Sequence, residues 1–166
     1  MSWLRLVSSA VIAVAFATGC GFQPLHAPSA GASAPDMGKI RIAPISDRVG
    51  QQLHNLLLDK LTPSGPPKAP RYVLHVKLGE SLQNLAVRKD DVATRANLVM
   101  SASFSLVRVG DGKVLLSNSA TSANSYNILR QEFGTLSAEN NARARAVREL
   151  SDQIRTRVAI FLSRVK

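Results

Sequence analysis

The sequence has little cysteine, few aromatic residues and a shortage of acidic groups, and each shortage excludes something. Its 166 residues contain one cysteine, Cys20. No intrachain disulfide can form, and no metal site can be built from several thiolates. The histidines, His26, His54 and His75, lack the close spacing of zinc ligands. Asp and Glu number 11 against 21 Lys and Arg, a formal charge of +10, which excludes an acidic disordered chain and favours polyanionic partners. Nucleic acid, phospholipid and anionic glycolipid attract Lys and Arg by the same electrostatics, so the compartment must separate them. Aromatic residues make up only 5% of the chain, yet 45% of residues are hydrophobic, enough for one domain with a real core. The uncharged run from Leu6 to Phe16 is shorter than the roughly 20 residues a membrane-spanning helix needs.

What is present at the start is a short leader. Arg5 precedes the Leu6 to Phe16 run, and the small residues Ala17, Thr18 and Gly19 close it, the shape of a secretory signal. Cys20 follows at once, so Ala17-Thr18-Gly19-Cys20 resembles the lipobox of bacterial lipoproteins, in which the cysteine becomes the acylated first residue of the mature chain. Acyl chains anchor at about 0.8 kcal/mol per buried methylene, so several would hold the protein on a membrane without a transmembrane segment. Ala27 to Gly38, rich in Ala, Pro, Ser and Gly, reads as a flexible tether. The expected organisation is a signal peptide over residues 1–19, an acylated N-terminus and tether over 20–38, and a single domain over 39–166.

Within that domain the apolar period changes three times. Ile40 and Ile42 alternate with Lys39 and Arg41 in a short strand that Pro44 ends. Ser46 or Asp47 can cap a helix whose stripe is Val49, Leu53, Leu56, Leu57 and Leu61. From Arg71 the period is two, with Tyr72, Leu74, Val76 and Leu78 on one face, which predicts a strand running on to Val87. A second long strand, Arg95 to Val109, alternates Ala96, Leu98, Met100, Ala102, Phe104 and Leu106 against polar residues. Gly110-Asp111-Gly112-Lys113 is a hairpin turn; it lacks the length and setting of a phosphate loop. The partner strand spans Val114 to Tyr126, a loop covers Asn127 to Leu136, and Ser137 opens a last helix from Ala138 to about Val165. The order predicts an α+β fold: a mostly antiparallel four-stranded sheet, strand-helix-strand-strand-strand-helix, with two helices on one face.

Two surfaces of this fold carry candidate function. Pairing across Asp111-Gly112 sets Phe104 opposite Ser119 and Ser103 opposite Ala120. That register predicts Ser117, Ser119, Thr121 and Ala123 toward the helices. It leaves Ser101, Ser103, Ser105, Asn118, Ser122 and Asn124 on a flat polar face, either solvated or a docking face for a polar partner. The antiparallel order also brings the turn Arg88-Lys89-Asp90-Asp91 and the Asn127 to Leu136 loop to one end of the sheet. Arg88, Lys89 and Arg130 converge there, where they either hold phosphate or are neutralised by Asp90, Asp91 and Glu132. The last helix is basic, with Arg143, Arg145, Arg148, Arg155 and Arg157; export from the cytoplasm argues against nucleic acid as its partner. A hydrolase using a serine with His54 or His75 would need a nucleophile elbow of the Gly-x-Ser-x-Gly kind, and the sequence has none.

Gly19-Cys20-Gly21-Phe22-Gln23-Pro24-Leu25, the short strand and helix, the strand opening Thr94-Arg95-Ala96-Asn97-Leu98, and Tyr126 ahead of an Ala- and Arg-rich helix together resemble the lipopolysaccharide-assembly lipoprotein LptE family. The resemblance covers nearly the whole mature chain. It implies a lipid-anchored protein on the periplasmic face of the outer membrane that plugs the LptD β-barrel, helps it assemble and contacts lipopolysaccharide. It implies neither catalysis nor a cofactor. Gly21 stands where an Asp would retain a lipoprotein in the inner membrane, and Arg88 matches a basic family residue that contacts lipopolysaccharide. A second basic contact of the family falls at Ser137 or Ala138, which are not basic. The rival reading is an anchored auxiliary of an inner-membrane lipid transporter.

Overall fold

The computed structural model describes residues 36–87 and 93–165; Cys20, Arg88 and Lys89 fall outside them. A 3-10 turn, Asp36–Lys39, leads into β1 (Ile40–Ile42), α1 (Asp47–Leu61), β2 (Tyr72–Val87), β3 (Ala93–Arg108), β4 (Val114–Asn127) and α2 (Glu132–Arg164). Residues 36–38, which composition assigns to the tether, are part of this unit. Asp36 bonds Lys39 and Arg71, and Met37 packs against the core. The Lys39 hydrogen bond is the main reason that the Asp36 carboxyl sits below its ordinary value.

The strands form one sheet in the order β1-β2-β3-β4. β1 pairs parallel with β2 over Tyr72 to Leu74, and the two long hairpins are antiparallel. The predicted α+β architecture is the observed one, with one parallel pair at the β1 edge. Both helices lie on the face carrying Leu74, Val76, Leu98, Met100, Phe104 and Leu106, all buried. α1 contributes Leu53, Leu57 and Leu61, and α2 contributes Val147, Leu150, Ile154 and Val158, spaced to keep one apolar stripe on the sheet. Burying such side chains is worth about 1.5–3 kcal/mol each, which makes this single layer the main source of stability.

The register of β4 departs from the expected one. At the turn, Arg108 N–H donates to the Lys113 carbonyl and Val107 faces Val114. Continued without interruption, this would set Phe104 opposite Ser117. Instead the pairing shifts between Leu106 and Val107, so that Leu115 is an extra residue, Leu106 faces Leu116 and Phe104 faces Asn118. A one-residue shift exchanges the faces of everything beyond it. Asn118, Ser122 and Asn124, expected on the open face, therefore lie on the helix side, where Ser122 and Asn124 are buried. Ser117, Ser119 and Thr121, expected to meet the helices, are exposed on the other side.

The last helix starts earlier than expected. Ser137 is an interior helical residue, and the helix begins at Glu132 and runs for 33 residues, about 50 Å. The chain passes almost directly from β4 into it because Thr135 Oγ1 accepts from Leu129 N–H and donates to the Leu129 carbonyl. Gly134 lets the Leu129 side chain lie against the first turn, since a Cβ there would stand 2.8 Å from Leu129 Cδ1. That closure replaces a side-chain cap, which Gln131 does not provide.

At the other helix, Gly50 is buried against Ile45, and a Cβ would come within 2.7 Å of Ile45 Cγ2 and 3.1 Å of its carbonyl carbon. Alanine in a helix interior is worth about 1 kcal/mol over glycine, but Ile45 is itself buried and branches at Cβ, so it cannot swing away. Gly50→Ala is therefore expected to lower stability by about 1–2 kcal/mol in chemical denaturation despite its better helix propensity. An unchanged or raised midpoint would show that the Ile45 turn is free to move.

Candidate functional site

The face of the sheet turned away from the helices is built in cross-strand rows: Gly79–Ser101–Thr121, Lys77–Ser103–Ser119 and His75–Ser105–Ser117. Between Val99 and Val107 every β3 residue on this face is serine. Strands about 4.8 Å apart carrying side chains this short make a flat surface edged with hydroxyls, which another backbone or a polar wall can approach closely. Ser101, Ser103, Ser117, Ser119 and Thr121 are exposed and Ser105 is half-buried. Lys77 is the one charged group within these rows.

The opposite side of β4 is a polar seam sealed by α2. Arg145, Glu149, Gln153 and Arg157 recur every fourth residue, one face of a helix. Ser122 Oγ donates to Glu149 Oε2, and Asn124 Nδ2 donates to Ser122 Oγ at 2.8 Å. Arg145 Nε donates to Asn124 Oδ1 at 3.1 Å. Three donors then reach past the side chains to the β4 backbone: Arg145 to the Ser125 carbonyl, Gln153 to the Thr121 carbonyl at 3.0 Å, and Arg157 to the Ser119 carbonyl. Buried polar groups are costly unless paired. Here the pairing explains why a strand of Ser, Asn and Thr tolerates its place under a helix.

Closer to the start of α2, Arg143 grips Glu80 of β2 with both Nε (2.9 Å) and Nη2 (2.7 Å), while Nη2 also meets Glu139 at 2.7 Å. These bonds raise the pKa of the guanidinium further. Burial, and after it the nearby Glu139 carboxylate, pushes the Tyr126 phenol above its ordinary value. On the far flank Lys60 of α1 donates to Ser151 and Asp152 of α2 at 2.7 and 2.6 Å, tying the two helices together.

The expected cation cluster is traceable in part. Val87 pairs with Ala93 and Arg95 with Asn127, so the 88–92 connection and the β4–α2 loop leave the sheet at the same end. Arg130 is exposed there and makes no ion pair with the described residues, Glu132 included. Beside it, Leu129, Phe133 and Leu136 are exposed, Phe133 by 83%. These apolar residues escape a sequence reading that makes this stretch a loop, because their grouping depends on the early helix start. The open-face residues Ser119 and Thr121 were missed for a different reason, the Leu115 bulge. A signal for it exists: Leu116, Ala120 and Tyr126 of β4 are all even-numbered and so share a face, and only the observed register turns that face to the core. His54 on α1 and His75 on the open face lie on opposite sides of the sheet and cannot share a site.

A four-stranded mixed sheet with two helices on one face and a bare polar face on the other defines an α+β scaffold whose fold several solved structures share. A lipoprotein from Caulobacter crescentus CB15 superposes with a TM-score of 0.63 at 24% identity, over 78% of this chain and 94% of its own. The minor lipoprotein from Acinetobacter baumannii gives 0.59 at 20% identity, over 75% and 94%. The rare lipoprotein B from Shewanella oneidensis gives 0.54 at 14% identity, over 76% and 94%. At these identities the likeness speaks for the fold alone. No curated protein matches the sequence. The sequence profile of the LptE family, described as lipopolysaccharide-assembly, matches residues 37–158, and the chain belongs to that family.

Arg143 joins α2 to β2 while neutralising two carboxylates. Removing it leaves Glu80 and Glu139 side by side and partly buried. Arg143→Leu is expected to cost about 2 kcal/mol in denaturant unfolding, with part of the loss recovered by adding Glu80→Gln. Equal stability of wild type and Arg143→Leu would show that the grip is solvent-screened.

Proposed function

We propose that this protein is a lipid-anchored lipoprotein of the outer membrane, tethered through Cys20, that docks in the lumen of the LptD β-barrel and contacts lipopolysaccharide on its way to the cell surface. The observation that carries the reading is the hydroxyl-lined face of β3 and β4. A barrel lumen is polar, and a plug must approach its wall closely without burying unpaired charge. Rows of serine and threonine meet both demands, since a hydroxyl both donates and accepts and occupies little space. The role is one of assembly and positioning and needs no catalytic group.

The lipopolysaccharide contact is assigned to the end of the sheet carrying Arg130; Arg88 and Lys89, which lie outside the described residues, are proposed to share in it. Lipopolysaccharide is an amphiphile with phosphates and acyl chains. A cation without an ion-pair partner among the described residues, next to exposed Leu129, Phe133 and Leu136, offers something to both parts.

Ser103→Arg tests the docking. Position 103 points away from the helices, so the domain should stay folded by circular dichroism, while recovery of LptD with the affinity-tagged protein should fall well below wild type. Wild-type recovery would mean that the open face is only solvated. For the second contact, Arg130→Glu should weaken lipopolysaccharide binding at both low and moderate salt. Arg164→Glu, the same charge change at the far end of α2, should act only at low salt, through the diffuse field. Equal losses in the two variants would discard the local contact.

A further inference from the structure

The two edges of the sheet are treated differently. Along β4 the side chains of α2 occupy the outward carbonyls of Ser119, Thr121 and Ser125, so a further strand cannot add there without displacing them. Among the described residues the other edge is bare. β1 covers only Tyr72 to Leu74 of β2, and Pro44, which has no N–H to donate, stands just beyond its end. Beyond Leu74 the pairing of β2 with β3 runs without a shift as far as Asn84, so this stretch is regular strand. Ala43 N–H donates to the Leu74 carbonyl, which places the backbone groups of Leu74 on the β1 side. By the alternation of a strand, those of Val76, Leu78, Glu80 and Leu82 turn the same way. Every residue from Gly79 to Gln83 is exposed, so no helix or loop among the described residues lies over this edge. Unpaired edges of this length are normally blunted or used.

We propose that the β2 edge from Val76 to Leu82 takes up an extended strand of the protein's partner by backbone pairing. The side chains that flank it describe the occupant. Leu78 and Leu82, the latter 52% exposed, border the edge on the helix side. On the open side stand His75 and Lys77, which make no ion pair with the described residues. The added strand therefore alternates apolar residues, laid against the two leucines, with acidic ones, laid toward Lys77. The Glu80 side chain is held by Arg143, so it leaves the edge clear instead of repelling that acidic row. Strand addition at this edge continues the surface of the serine face, so one partner can use both. The inference rests on the docking reading and names the backbone contact within it.

Amide hydrogen exchange on the full acylated protein, alone in detergent and co-purified with LptD, tests this. In the free protein the outward amides of Val76, Leu78, Glu80 and Leu82 should exchange fast. In the complex about four amides in this segment should become protected, while exchange along β4 stays as it was. Leu82→Pro removes one outward N–H without touching the ladder to β3, and should reduce recovery of the complex by about fivefold or more. Leu82→Val should leave recovery near wild type. A complex that forms with unchanged exchange over residues 76–82, or with Leu82→Pro at wild-type recovery, overturns strand addition and leaves docking intact. Failure of the wild-type protein to co-purify with LptD overturns the docking reading and this inference together.

Discussion

One extra residue, Leu115, decides what the protein presents to its surroundings. Because the side-chain period of a strand is two, the bulge exchanges the two faces of β4 from Leu116 onward. Ala120 and Tyr126 join the core, and Ser122 and Asn124 go under α2. The serines and threonines that remain form a bare surface with those of β3. The polar composition of β4 thus serves two ends: half of it is consumed by Arg145, Glu149, Gln153 and Arg157, and half is left open. Neither would follow from composition alone, since composition carries no register and the bulge decides which half of β4 is buried.

The long last helix is held less by apolar burial than its length implies. Its buried stripe includes two alanines and a serine, Ala142, Ala146 and Ser151, and much of its grip on the sheet comes from side chains that reach over the β4 edge or down to Glu80. These contacts have a second effect. They close one edge of the sheet and leave the outer part of β2 as the edge with free backbone groups. An edge strand that is long, regular and uncovered is a liability in a monomer, and its retention beside a closed one gives the molecule a direction.

Much of the fold was legible because the strongest periodic signals are local. The alternation of Leu98, Met100, Ala102, Phe104 and Leu106, and the α1 stripe through Leu53, Leu57 and Leu61, each specify an element and its buried face, and all are buried as expected. The Asp111-Gly112 turn was equally clear. Gly112 adopts φ 67°, and the Asp111 carboxylate accepts from Lys113 N–H, which is the main cause of its lowered pKa. What was not legible depends on cross-strand geometry. A bulge changes parity without changing composition, so three of the six residues expected on the docking face, Asn118, Ser122 and Asn124, belong to the helix side. The start of α2 was misplaced because Ser137 offers a cap and Gln131 does not, whereas the Leu129–Thr135 bonds close the turn without one and the helix begins at Glu132. Arg130 was found by topology, but its apolar neighbours were not, since Leu129, Phe133 and Leu136 come together only once the helix begins at Glu132.

The central claim is that the protein meets its barrel with the sheet face turned away from the helices. Single cysteines placed at Ser103 on that face and at Arg148 on the exposed side of α2, labelled with a maleimide in the free protein and in the co-purified complex, test it most directly. The account predicts rapid labelling of both in the free protein and selective protection at position 103 in the complex. Protection at position 148 with position 103 still labelled at its free rate would contradict it.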